Sequence, residues 1–336
     1  MYYFTNQRRV ATKKSFKYRI YPTPKQVKAL EASLDACRWV YNKTLEVRKQ
    51  AWEERKKTLT LYDTSSLICK WRQCNPTISD AYAHCLHDAQ KRIDNAFKKF
   101  FRRVKYGDKP GYPRFRSKDR YDSITYPQHK NGFIIIDNRL KLYKIGSVKF
   151  KHHQAIYGIP KTCTISRTPT YKWYAIIVCE VEQPQPLPTT DSILGIDVGL
   201  ESFATFSTGE KIPNPRFFKT DEHRLVKAQR QLSKAPNFSI KRTQKRKIVA
   251  RIHEKIANKR SDFAHKLSRR LVNENQTIVF EKLDINQMKD KTFKSIRKSI
   301  GDVAWSQFMS CTSYKAEWAG RSVIFVDPRN NKQEVL

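Results

Sequence analysis

Ile193-Leu194-Gly195-Ile196-Asp197-Val198-Gly199 and Thr277-Ile278-Val279-Phe280-Glu281 decide how this chain is read. Each is a short apolar run with the length and composition of a buried strand, and each delivers a carboxylate at its end. Gly199 follows the first acid closely and lets backbone or substrate approach. If the two runs are parallel neighbours, their ends lie roughly 5 Å apart and both carboxylates face one small volume. Two negative charges that close repel unless a cation sits between them. Hard oxygen ligands suit Mg2+ or Mn2+, and paired ions roughly 4 Å apart can activate water and stabilise a leaving oxygen in phosphodiester hydrolysis. Singly, Asp197 would start a turn and Glu281 would cap the next element. Together, in a basic chain, they read as the metal ligands of a nuclease site.

The chain around them is strongly basic, with 67 Lys and Arg against 31 Asp and Glu in 336 residues. An excess of that size repels itself unless a polyanion neutralises it, which makes nucleic acid the expected partner. A hydrophobic fraction of 39% supports folded cores and excludes a disordered basic tail. The length exceeds one core, so two or three units are expected. The first residues lack the continuous apolar core of a secretory signal, and no later run is long enough to span a bilayer. The expectation is therefore a cytoplasmic protein with no membrane partner. Seven cysteines, an odd number without any C-x-x-C pair, read as reduced structural thiols.

Along the chain, 16–21 reads as a strand, and Pro22-Thr23-Pro24 starts a long helix with Thr23 as its cap. Val27, Leu30, Leu34, Cys37, Tyr41 and Leu45 form its apolar face. A second helix is expected over about 80–103, capped by Ser79 and striped by Tyr82, Cys85, Ala89, Ile93, Phe97, Phe100 and Val104. Gly107 to Pro113 cannot continue it, and alternating segments follow: hairpins from 133–137 with 140–143 and from 163–168 with 173–182. The Pro-rich stretch after Gln183 is a stiff connector that marks a domain boundary. Beyond it come strand 192–198, further strand over 201–211, and a basic helical hairpin over 223–270 broken near Pro236. Strand 276–280, an amphipathic helix over 304–319 closed by Gly320, and strand 322–326 complete the series.

Seven stretches in order, YRIYPTPKQ (18–26), CRWVYNKTLE (37–46), AFKKFF (96–101), PRFRSK (113–118), GIDVGLESFATFS (195–207), IVFEKLDINQM (278–288) and YKAEWAGRSVIFVDPR (314–329), resemble successive signatures of the TnpB (OrfB) family. Members of that family are transposon-encoded, RNA-guided DNA endonucleases related to type V CRISPR effectors. The resemblance implies an α+β multidomain protein, in which a β-barrel-like wedge domain (1–22 and 107–182) is interrupted by a helical recognition domain (23–106). A linker (183–190) then leads to an RNase H-like α/β domain of the RuvC type (191–336). By motif, Asp197 matches the first RuvC acid and Glu281 the second, as ligands of Mg2+ or Mn2+. The family pattern continues with a four-cysteine zinc ribbon and a third acid, where this chain reads Asn330-Asn331-Lys332-Gln333-Glu334-Val335-Leu336. The expectation is an incomplete RuvC domain that holds no zinc and lacks the third acid, which argues against cleavage by this chain alone. Asp327 ends the last strand, but it does not match the family's catalytic acid.

Two basic regions are candidate nucleic-acid contacts. In the first, Lys98, Lys99, Arg102, Arg103, Arg114 and Arg116 are interleaved with Tyr106 and Tyr112, a mixture that pairs phosphates and stacks bases. Phe97, Phe100 and Phe115 are assigned to the core. In the second, Lys241, Arg242, Lys245 and Arg246 open a helical stretch whose few acids cannot offset its charge internally. His84, His87 and His265, and likewise Cys69 and Cys74, have no partners at metal-ligand spacing and are read as structural. The partners implied by the resemblance are a guide RNA from the transposon end and target DNA, with base pairing supplying sequence specificity. Three readings stay open at this level: an RNA-guided endonuclease, a nuclease-inactive RNA-guided DNA-binding protein (a repressor or decayed remnant), and a DNA-joining transposase.

Overall fold

The computed structural model describes residues 11–283, 288 and 293–327. The first ten residues and the tail from Asn330 to Leu336 lie outside them. The chain divides into two compact units, Met1–Glu182 and Gln183–Leu336.

In the first unit the strands are β1 (Ala11–Tyr21), β2 (Ser123–Tyr126), β3 (Phe133–Ile136), β4 (Arg139–Leu142), β5 (Gly146–Phe150), β6 (Ile159–Arg167) and β7 (Trp173–Glu182). They form one antiparallel, nearly closed sheet in the order β2-β6-β7-β1-β5-β4-β3. Period-two patterning builds its centre: Phe16, Tyr18 and Ile20 of β1 and Ala175, Ile177 and Cys179 of β7 are buried, while Lys17 between them is exposed. Against this sheet's core pack helices α1 (Pro24–Arg55) and α5 (Ala83–Lys105), joined through the short α2 (Leu61–Ser65), α3 (Leu67–Cys74) and α4 (Pro76–Ser79). A capping box fixes the start of α1, where Thr23 and Gln26 satisfy each other's backbone N–H groups. The start of α5 differs from the expected Ser79. Asn75 accepts a hydrogen bond from the Thr77 N–H and Pro76 occupies the first position of α4, so Ser79 ends that separate turn and Tyr82 precedes α5.

In the second unit the sheet order is β10-β9-β8-β11-β12, with β8 (Ile193–Asp197), β9 (Ser202–Phe206), β10 (Lys211–Pro213), β11 (Thr277–Glu281) and β12 (Ser322–Val326). The three strands β8, β11 and β12 run parallel, and β9 and β10 are antiparallel to their neighbours. Helices α6 (Phe217–Ser233) and α7 (Ile240–Glu274) form a hairpin, followed by α8 (Lys294–Val303) and α9 (Trp305–Ala319). Leu194, Ile196, Ile278 and Phe280 bury one face of the sheet with Leu267, Leu271 and Phe308. Phe308 meets Phe203 at 5.2 Å and Phe280 at 5.6 Å, both edge to face, which locks this layer. Gly320 closes α9 with φ 69°, and a Cβ there would stand 2.6 Å from Pro186, so the Pro-rich connector can lie against this helix end. Among the described residues no helix is long and apolar enough to cross a membrane.

Candidate functional site

β8 and β11 pair in parallel in the register Leu194↔Ile278, Gly195↔Val279 and Ile196↔Phe280. Continuing that register by one residue sets Asp197 beside Glu281, on strands that neighbour each other at about 4.8 Å. Since Ile196 and Phe280 point into the core, alternation turns both acids to the opposite face, with Gly195 and Val279. Asp197 is exposed, Glu281 is half-buried, and both line an open cleft of about 520 Å3. Thr205, paired with Asp197 across β9, and Val326, paired with Glu281 across β12, complete its flanks. The Ser207 side chain lies against Gly195 beside Asp197, and its hydroxyl satisfies the Gly195 N–H at 3.1 Å.

Two carboxylates on adjacent strand ends fit a hard divalent cation. Mg2+ is commonly held by one or two carboxylates and leaves its remaining positions to water and phosphate oxygens. Among the described residues no group of three or more His, Cys, Asp or Glu side chains converges on a metal position.

The first basic region lies on α5 and the segment after it. Lys98, Lys99, Arg102 and Arg103 are exposed on α5, and Arg114 and Arg116 are exposed beyond it. Asn42 holds the Arg116 backbone at both its N–H and its carbonyl, which fixes this segment against α1. Lys98 reaches Asp94 at 3.0 Å, and the buried Arg48 reaches the same carboxylate at 3.0 Å. Burial raises the Asp94 pKa, but hydrogen bonds from Lys98 and Arg48 and their charges outweigh it and hold the carboxyl below its ordinary value. Of the aromatics assigned to the core, Phe97 is buried, but Phe115 is 55% exposed because the Pro-rich segment carrying it runs over the surface.

In the second region Lys241 and Arg246 are exposed on the first turns of α7. Arg242 instead turns toward the hairpin and donates to the carbonyls of Leu232 and Ala235, closing the end of α6. Lys245 donates to Gln231 at 3.0 Å. Further along α7 the charge is offset by acids from other elements, which the local sequence did not reveal. Asp221 takes Lys259 at 3.3 Å, and Asp302 takes Arg260 at 2.6 Å.

Comparison with known proteins follows the same lines. A family model described as "Probable transposase" matches 176–292, and one described as "Helix-turn-helix domain" matches 12–57. Over the latter residues the structure is one strand and one uninterrupted helix, β1 and α1. A Streptomyces pristinaespiralis protein named as an RNA-guided DNA endonuclease is 33% identical over 94% of this chain and 77% of its own length. The similarly named InsQ of Escherichia coli is 26% identical over 95% of this chain and 81% of its own. The fold resembles that of a Cas12f1 chain solved with sgRNA and target DNA, at a TM-score of 0.57 and 11% identity over 96% of this chain and 90% of that one. The chain belongs to the TnpB (OrfB) family of transposon-associated RNA-guided endonucleases.

Proposed function

We propose that this protein is directed by a guide RNA to double-stranded DNA, and that Asp197 and Glu281 form its site of Mg2+-dependent phosphodiester hydrolysis. The parallel register of β8 and β11, which puts the two carboxylates side by side on one open face, carries this reading. In it, 1–22 and 107–182 act as the wedge, 23–106 as the recognition domain, and 191–336 as a RuvC-like nuclease domain. A divalent ion bound there would polarise the scissile phosphate and lower the pKa of an attacking water.

The chain's own part is to hold that ion, position the strand and neutralise phosphates. Asp197 and Glu281 supply the hard oxygen ligands. Lys99, Arg102, Arg103, Arg114, Arg116, Lys241 and Arg246 would pair with phosphates, contributing affinity and register rather than sequence choice. Sequence would be read by base pairing with the RNA. With RNA and DNA as its partners, the protein would work in the cytoplasm.

Plasmid cleavage with guide RNA and Mg2+ tests the reading. Cutting by the native chain would bear the reading out, and Asp197→Asn should then lose at least about a hundredfold of that rate while retaining RNA and DNA binding. Binding without cutting by the native chain favours a nuclease-inactive DNA-binding protein, and strand-transfer products favour a transposase.

A further inference from the structure

The cleft between α1 and α5 in the first unit encloses about 600 Å3, the size of a ligand site. Part of its lining is a prebuilt block of rings. Tyr112 meets Phe97 at 5.7 Å and Phe100 at 5.4 Å, both edge to face, and Phe100 meets Phe101 at 5.2 Å. Trp52 and Tyr62 also line the cleft, 52% and 88% exposed, and neither meets another aromatic ring among the described residues. Large rings left in water beside a cavity mark a surface that is completed by something else.

The polar lining narrows what that is. Arg48 is 6% exposed, and its Nε has no hydrogen-bond partner among the described residues. Asp94, the carboxylate in the cleft, is engaged by Arg48 and Lys98, and against that one acid the lining sets three cations, Arg48, Lys98 and the exposed Lys57, so it is net cationic. Exposed π-faces flanked by lysines match a planar base attached to a phosphate. A lipid or an apolar peptide would use the rings but not the charge. Bases in a duplex are already stacked, so the occupant is an unpaired one.

We propose that this cleft takes an unpaired base of the RNA partner, stacked on Trp52 and Tyr62, with its phosphate held by Lys57 and Lys98. The proposal rests on the reading of the chain as an RNA-binding protein and adds a specific subsite to it. Anisotropy titration of the full chain with a short single-stranded oligouridylate, alongside an RNA duplex of equal length, tests it. Trp52→Ala and Tyr62→Ala should each weaken the single strand about tenfold and leave the duplex unchanged. Trp52→Phe should keep most of the affinity, and Lys57→Ala should flatten the salt dependence. Both rings are solvent-exposed, and an unchanged melting temperature would show that the variants fold.

Unchanged oligouridylate binding in the ring variants would overturn the subsite alone, as would an equal loss on the duplex. So would a sedimentation shift showing that the rings join two copies of the chain. Failure of the native chain to bind either RNA would overturn the RNA-binding reading together with the subsite.

Discussion

Arg48 and Asp94 show what a single buried pair contributes here. Their side chains are 5% and 10% exposed, and Arg48 also lies 5.3 Å from the Phe97 ring. Replacing Asp94 by Asn would leave a buried guanidinium without its countercharge and cost about 3 kcal/mol, visible as a lower urea midpoint at pH 7. The pH dependence has a defined sign. Because the folded carboxyl titrates below its ordinary value, its stabilisation is fully present above the unfolded pKa of about 3.9 and is lost as pH falls through the folded value. The gap between Asp94→Asn and the native chain should therefore be constant from pH 7 to about pH 5 and shrink in stronger acid. A gap that widened in acid would contradict the role given to Lys98 and Arg48.

At the scale of elements, α6 depends on a residue far along the chain. The Asp302 carboxylate accepts from the Phe218 and Lys219 N–H groups and from Arg260, capping one helix and tying down a second. Asp302→Ala should cost about 2–4 kcal/mol, with faster hydrogen exchange at the start of α6 than in β8. That remote cap explains why the helix begins at Phe217, whereas local periodicity placed its start at 223. What sequence patterns could reach was local: the Thr23 cap, the hairpin of 133–137 with 140–143, and the two apolar runs ending in Asp197 and Glu281. Strand β6 begins at Ile159, ahead of the expected 163, because Pro160 and a register shift beside it mask the alternation. The aromatic lining of the α1–α5 cleft was hidden for a different reason. Trp52 and Tyr62 sit on different elements from Phe101 and Tyr112, and no spacing rule links them.

Over the whole molecule, a formal net charge of +36 favours pairing with phosphates and the release of their counterions, so nucleic-acid affinity should fall steeply with salt. Replacing Lys99, Arg102 and Arg103 together by Ala should reduce the slope of log K against log salt by about 2–3 and weaken all sequences alike. A variant that kept the native slope would remove α5 from the phosphate contacts. Charge alone, however, describes any nucleic-acid-binding protein; the proposed nuclease reading turns on whether the ends of β8 and β11 hold a divalent cation. Mn2+ titration followed by the electron paramagnetic resonance of the free ion reads that directly. The native chain should take up Mn2+ at a site that Asp197→Asn and Glu281→Gln each abolish, and equal uptake by the native chain and the double variant would contradict the account.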